Sequence, residues 1–125
     1  MKKILLLVIT VFFISCDDVF EKKIERYAVD VISPHNKAIM ESGNISFSWN
    51  ALDGASVYNL VITAPSFEQA LLVAVDTAIV AADSTFVSIY KCSVSLGKGN
   101  YQWYVQARNS GYSSKKQIYD LTVIE

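Results

Sequence analysis

Few residues in this chain combine the type and the spacing that chemistry needs, and the clearest is a thiol. Cys16 follows an uninterrupted run of eleven apolar or hydroxyl residues, 4–14, that begins after Lys2 and Lys3 and ends at the small Ser15. A cationic start, a short apolar stretch and a small residue are the layout of a secretory signal. The run falls well short of the roughly 20 apolar residues that a membrane-spanning helix requires. A cysteine at the cleavage point sets a nucleophilic thiol at the membrane face, where it can be acylated. Little else could act. The one histidine, His35, lies in the turn-like stretch Pro34-His35-Asn36-Lys37, with no histidine–carboxylate cluster around it. No Gly-x-Ser-x-Gly elbow and no glycine-rich phosphate loop occurs. The adjacent carboxylates Asp17-Asp18 stand on a charged stretch that cannot hold a fixed geometry. These residues point to no catalytic group, no metal-ligand set and no cofactor.

Cutting before Cys16 leaves 110 residues, enough for one domain. Nine basic residues then face twelve acidic ones, a net charge of −3 that offers no basic patch to nucleic acid. With Cys16 used by lipid, Cys92 has no partner in the chain and reads as a small buried hydrophobe. Stability must therefore come from a packed core, without a disulfide or a metal.

The elements that must position any site follow from the change in pattern along the chain. Residues 16–26 are charge-rich, show no strand alternation and read as a tether, in which Phe20 and Ile24 could form one helical turn. From 27 to 125 short runs rich in Val, Ile, Thr and aromatics alternate with turn residues, the pattern of an all-β sandwich. Strands are expected at 27–32, 44–49, 57–63, 72–80, 85–90, 100–109 and 117–124. In the second, Ile45, Phe47 and Trp49 share one face; in the third, Tyr58, Leu60 and Ile62 do. The sixth turns Tyr101, Trp103, Val105 and Ala107 inward and Gln102, Tyr104, Gln106 and Arg108 outward. Seven antiparallel strands in this length match the count of a constant-type immunoglobulin-like sandwich.

Two resemblances attach to these residues. Phe13-Ile14-Ser15-Cys16 resembles the lipobox of bacterial lipoproteins, which implies a signal peptide over 1–15 and a Cys16 that becomes the acylated N-terminus. Asp17-Asp18 and Glu21 resemble the export signal of Bacteroides-type outer-membrane lipoproteins, which implies the outer membrane and exposure at the cell surface. Trp49, Tyr58-x-Leu60-x-Ile62, Leu96-x-x-Gly99-x-Tyr101-x-Trp103-x-Val105-x-Ala107-Arg108-Asn109 and Gly111-Tyr112-Ser113 together resemble fibronectin type III domains. That resemblance implies that Tyr101 hydrogen-bonds the loop before it, that Leu96 plugs the core beneath, and that Trp49 is the buried tryptophan of the second strand.

What remains are candidate contacts. The outward aromatics Tyr104, Tyr112 and Phe67 could stack on a glycan or a protein partner, and Gln102, Gln106 and Arg108 on the face of Tyr104 could supply hydrogen bonds. Asp76-Thr77-Ala78 and Asp83-Ser84-Thr85 resemble the O-glycosylation acceptor pattern of envelope proteins of this bacterial type, with Thr77 and Ser84 as acceptors. The expected function is a non-catalytic, lipid-anchored envelope protein, a structural or protein-interaction module among other envelope proteins. The rival is a glycan-binding accessory lipoprotein of a polysaccharide-uptake system.

Overall fold

The computed structural model describes residues 22–81 and 87–125. The expected signal, Cys16 and the first part of the expected tether lie outside them. Two β-sheets face one another, and there is no helix among the described residues. The strands are β1 (Val31–Ser33), β2 (Ala38–Glu41), β3 (Gly43–Asn50), β4 (Val57–Ala64), β5 (Leu72–Val80), β6 (Ile89–Leu96), β7 (Gly99–Arg108) and β8 (Tyr119–Ile124). One sheet runs β1-β3-β6 and the other β2-β8-β7-β4-β5.

Period-two alternation explains why these segments pair as they do. Along β3, Ile45, Phe47 and Trp49 are buried; along β4, Tyr58, Leu60 and Ile62; along β7, Tyr101, Trp103, Val105 and Ala107. A register slip by one residue would turn each of these sets to solvent, so the ladders β3–β6, β4–β7 and β7–β8 are held by the core they cover. Aromatics dominate that core. Phe47 meets Trp103 edge to face, with ring centroids 4.8 Å apart, and Trp103 stacks on Tyr119 at 4.9 Å. At the other end Tyr58 lies 5.7 Å from Trp49 and 4.8 Å from Tyr90. Such contacts add about 0.5–1.5 kcal/mol per pair to simple burial.

The structure differs from the expected strands in five places. There are eight strands rather than seven, because β2 was not anticipated, and β2 pairs with β8 in parallel, so the sandwich is not wholly antiparallel. Four residues are too few for an alternation to show. The expected first strand, 27–32, contracts to Val31–Ser33: Ala28 makes only an isolated bridge to Lys115 in the β7–β8 loop, and ladder pairing begins where Val31 meets Trp49. The expected fifth strand, 85–90, is displaced to Ile89–Leu96, where Tyr90, Cys92, Val94 and Leu96 alternate with Lys91, Ser93 and Ser95. In the constant-type arrangement the strand that follows the third joins the sheet of the first two strands. Here β5 instead extends the larger one from the edge of β4.

The last difference is at the expected tether. Ile24 has no exposed surface and Val29 is also buried, so by Lys22 the chain already belongs to the packed body. Residues 22–29 close one end of the sandwich, beside the β3–β4 and β7–β8 loops. Asn109 Nδ2 donates to the Lys22 carbonyl oxygen at 2.8 Å and to that of Gly54 at 3.0 Å. Gly54 has φ +94°, and a Cβ there would stand 2.7 Å from Cβ of Lys22. Only glycine allows the two segments to touch.

Candidate functional site

The outer face of the larger sheet collects the residues with chemistry to offer. Direct cross-strand neighbours are Asn59 with Gln106, Val61 with Tyr104, and Val61 with Asp76. Because successive side chains alternate between faces, Asp76 on β5, Asn59 and Val61 on β4, and Tyr104, Gln106 and Arg108 on β7 point outward together. They line a shallow hollow of about 210 Å³. Strands hold these groups more firmly than a loop would.

The groups in the hollow differ in how far they are already committed. Gln106 Nε2 donates to the Ser114 carbonyl oxygen at 2.8 Å. Tyr104 is flanked by the Phe67 ring, 5.2 Å between centroids, and by Lys116 Nζ, 5.0 Å above its ring. A sugar stacking on Tyr104 would have to displace one of these two. Asn59 Oδ1 is buried and has no hydrogen-bond partner. Among the described residues the ion pair is Lys22–Asp53, so Asp76 and Arg108 do not neutralise each other across the hollow. A carboxylate, a guanidinium and an unsatisfied amide oxygen can donate to and accept from a hydroxyl-rich or peptide ligand.

A second hollow, of about 340 Å³, lies toward the other end of the same face, lined by Lys37, Ile39, Asn100, Gln102, Asp120 and Thr122 among others. Most of its polar side chains bond one another or nearby backbone. Gln102 Nε2 donates to Asp120 Oδ1 while Gln102 Oε1 accepts from the Phe67 amide. The Asp120 amide donates to Asn36 Oδ1, and Thr122 Oγ1 lies 3.4 Å from Asn100 Oδ1.

The candidates from the sequence fall in several places. Tyr104, Gln106 and Arg108 come together as expected. Tyr112 does not line their hollow. It is half-buried against the core, on a turn where Asn109 Oδ1 accepts from the amides of Gly111 and Tyr112. Thr77 faces inward opposite Leu60 and is half-buried, whereas Asp76 and Ala78 on either side are exposed. Cys16 and Ser84 lie outside the described residues. Cys92 is half-buried on β6, and burial raises its thiol above the usual range, so it stays protonated and weakly nucleophilic. Among the described residues no group of three or more His, Cys, Asp or Glu side chains could hold a metal ion. Sequence reasoning missed Asn59 and Asp76. Their signal was present, since each occupies an outward position between inward residues, but only strand pairing shows that they adjoin Gln106 and Tyr104.

The other notable surface is an edge. β5 ends the larger sheet with nine residues, of which Asp76 alone is charged, and it contains no proline or lysine. Leu71, Leu72, Val73 and Val80 on and beside it are exposed, Leu71 by 88%. The Ala81 amide donates to the Ser56 carbonyl oxygen, so by the alternation of an antiparallel ladder the backbone groups of Asp76, Ala78 and Val80 point away from β4. The opposite side of the molecule is blunted by the short β1 and β2.

No family model matches the chain, and no curated protein does. Among solved structures it is similar to FN3tt, at 16% identity over 78% of this chain and 96% of that one, with a TM-score of 0.43. It is also similar to a chain from the structure that describes T cell specificity and activation by the bacterial superantigen toxic shock syndrome toxin-1. That match has 18% identity, covers 77% of this chain and 98% of that one, and has a TM-score of 0.44. Superpositions this loose transfer neither strand-for-strand roles nor a ligand.

Proposed function

We propose that this protein is a non-catalytic, lipid-anchored envelope protein whose sandwich acts as a protein-interaction module, with β5 as the docking edge. The observation that carries the reading is a nine-residue edge strand with an open hydrogen-bonding row and exposed Leu71, Leu72, Val73 and Val80. Strand addition needs both features: backbone groups supply the bonds, and apolar side chains supply the burial. The finer fold assignment is fibronectin type III-like. It is supported by Tyr101 Oη donating to the Gly97 carbonyl oxygen at 2.7 Å, by Leu96 buried at the end of β6, and by fully buried Trp49. The anchor rests on the residues around Cys16, and the outer membrane on Asp17-Asp18.

Glycan binding is the second reading, favoured by the hollow around Asn59, Asp76, Gln106 and Arg108. Two measurements separate the readings. Cross-linking in intact cells should join the wild-type protein to envelope proteins and fail for Ala78→Pro, whose lost N–H faces away from β4. A glycan array should stay blank. Sugar binding that disappears in Tyr104→Ala and Arg108→Ala but survives in Tyr112→Ala would replace the first reading with the second.

A further inference from the structure

We propose that the domain stands end-on to the bilayer, with the end closed by residues 22–29 seated on the phosphate-bearing headgroup layer and the β4–β5 and β6–β7 turns held outward. The inference rests on the anchor reading at Cys16. Its structural half is the fixing of Lys22. The Lys22 carbonyl accepts from Asn109, its Nζ pairs with Asp53 at 2.6 Å, its Cβ lies against Gly54, and two residues later Ile24 enters the core. Tyr27 then accepts from the Lys115 amide at 2.8 Å, tying the segment to the β7–β8 loop as well. Lys22 is therefore a fixed point on one end of a rigid body.

Five residues separate Lys22 from Cys16, and the steps between them, at about 3.3–3.6 Å each, reach no more than roughly 22 Å when fully extended. The ten residues of β7 alone span about 33 Å along the sandwich. A leash shorter than the body it holds, attached at one end, keeps that end next to the membrane.

Charge favours the same seating. Lys22, Lys23, Arg26, Arg108, Lys115 and Lys116 are exposed on or beside this end, against Glu25, Asp30 and Asp53. They hold six of the nine basic residues that follow Cys16. Lysine and arginine are attracted to an anionic headgroup layer, and the attraction falls off within a Debye length. Asp17, Asp18 and Glu21 on the leash lie nearest the headgroups and cancel the excess of three cations at this end, so the cations, fixed on the rigid body, bear on its orientation while the acyl chains hold it. A consequence is that the β3–β4 and β7–β8 loops, which this seating turns toward the headgroup layer, are closed to a partner. The sheet face and the β5 edge remain open.

The test uses the full acylated chain in phosphatidylethanolamine–phosphatidylglycerol vesicles containing a nickel-chelating lipid. In a Cys92→Ser background, spin labels are placed by Arg26→Cys or Lys115→Cys at the seated end and by Lys98→Cys at the far end. Nickel in the headgroup layer should relax the Arg26 and Lys115 labels several-fold more than the Lys98 label. Equal relaxation at all three in acylated protein would overturn the end-on orientation and leave the anchor standing. A chain that carries no acyl group would remove the anchor and this orientation together.

Discussion

At Tyr101 a single oxygen joins two strands, since its hydroxyl donates to Gly97 across the β6–β7 turn. Tyr101→Phe should lower stability by about 0.5–1.5 kcal/mol, the net worth of such a bond, in urea unfolding of the chain. Trp49→Ala, which empties a fully buried site, should cost about 3–5 kcal/mol by the same measurement. Tyr58 supplies a pH test. Burial raises its phenol above the usual tyrosine range, opposed in part by the Leu52 amide that donates to its oxygen. A group whose folded pKa is raised gives stability that is complete below its unfolded value and is lost as pH rises through the folded one. Stability should therefore fall above about pH 10, with phenolate absorbance appearing together with unfolding. Phenolate signal from Tyr58 in a still-folded chain would contradict its placement. The exposed Lys22–Asp53 pair has two limits. The Asp53 hydrogen bond and charge raise the ammonium, while those of Lys22 lower the carboxyl. The pair is complete between about pH 4 and 10 and weakens on either side.

At the scale of elements, the closing segment 22–29 and the edge β5 carry the clearest tests. Ile24→Ala should destabilise the fold by about 2–5 kcal/mol, whereas a residue in a free tether would cost nothing. Ala78→Pro should leave thermal unfolding nearly unchanged, because edge strands tolerate a proline whose N–H position faces outward. Thr77→Pro should unfold the sheet edge, since that residue bonds β4. How much of this was legible depended on length and alternation. The long strands β3, β4 and β7 could be read directly, because Ile45-x-Phe47-x-Trp49, Tyr58-x-Leu60-x-Ile62 and Tyr101-x-Trp103-x-Val105 each display the period over three inward positions. β2 could not, because Ala38–Glu41 is too short and owes its existence to β8 beside it. β6 was misplaced because the apolar density of residues 85–90 masked the weaker alternation of Tyr90-x-Cys92-x-Val94-x-Leu96. The burial of Ile24 was hidden among charges, since its spacing from Phe20 suggests one helical turn at most and says nothing of a core beneath it. The hollow was half legible. β7 displays Tyr104, Gln106 and Arg108 in sequence, but Asn59 and Asp76 join them only through pairing across β4 and β5.

For the whole molecule, the proposals combine an acyl anchor at one end, a packed sandwich seated on it and an apolar edge along its side. Palmitate-analogue labelling should tag the wild-type chain and spare Cys16→Ala. Equal labelling would remove the anchor. The claim on which the functional reading depends is that β5 is the docking strand, and site-specific photo-cross-linking in intact cells tests it most directly. A photoreactive side chain at Ala78, on the open edge, should yield a discrete adduct with an envelope protein, and one at Asn44, on the smaller sheet, should yield none. Adducts absent at Ala78, or no stronger there than at Asn44, would contradict the account.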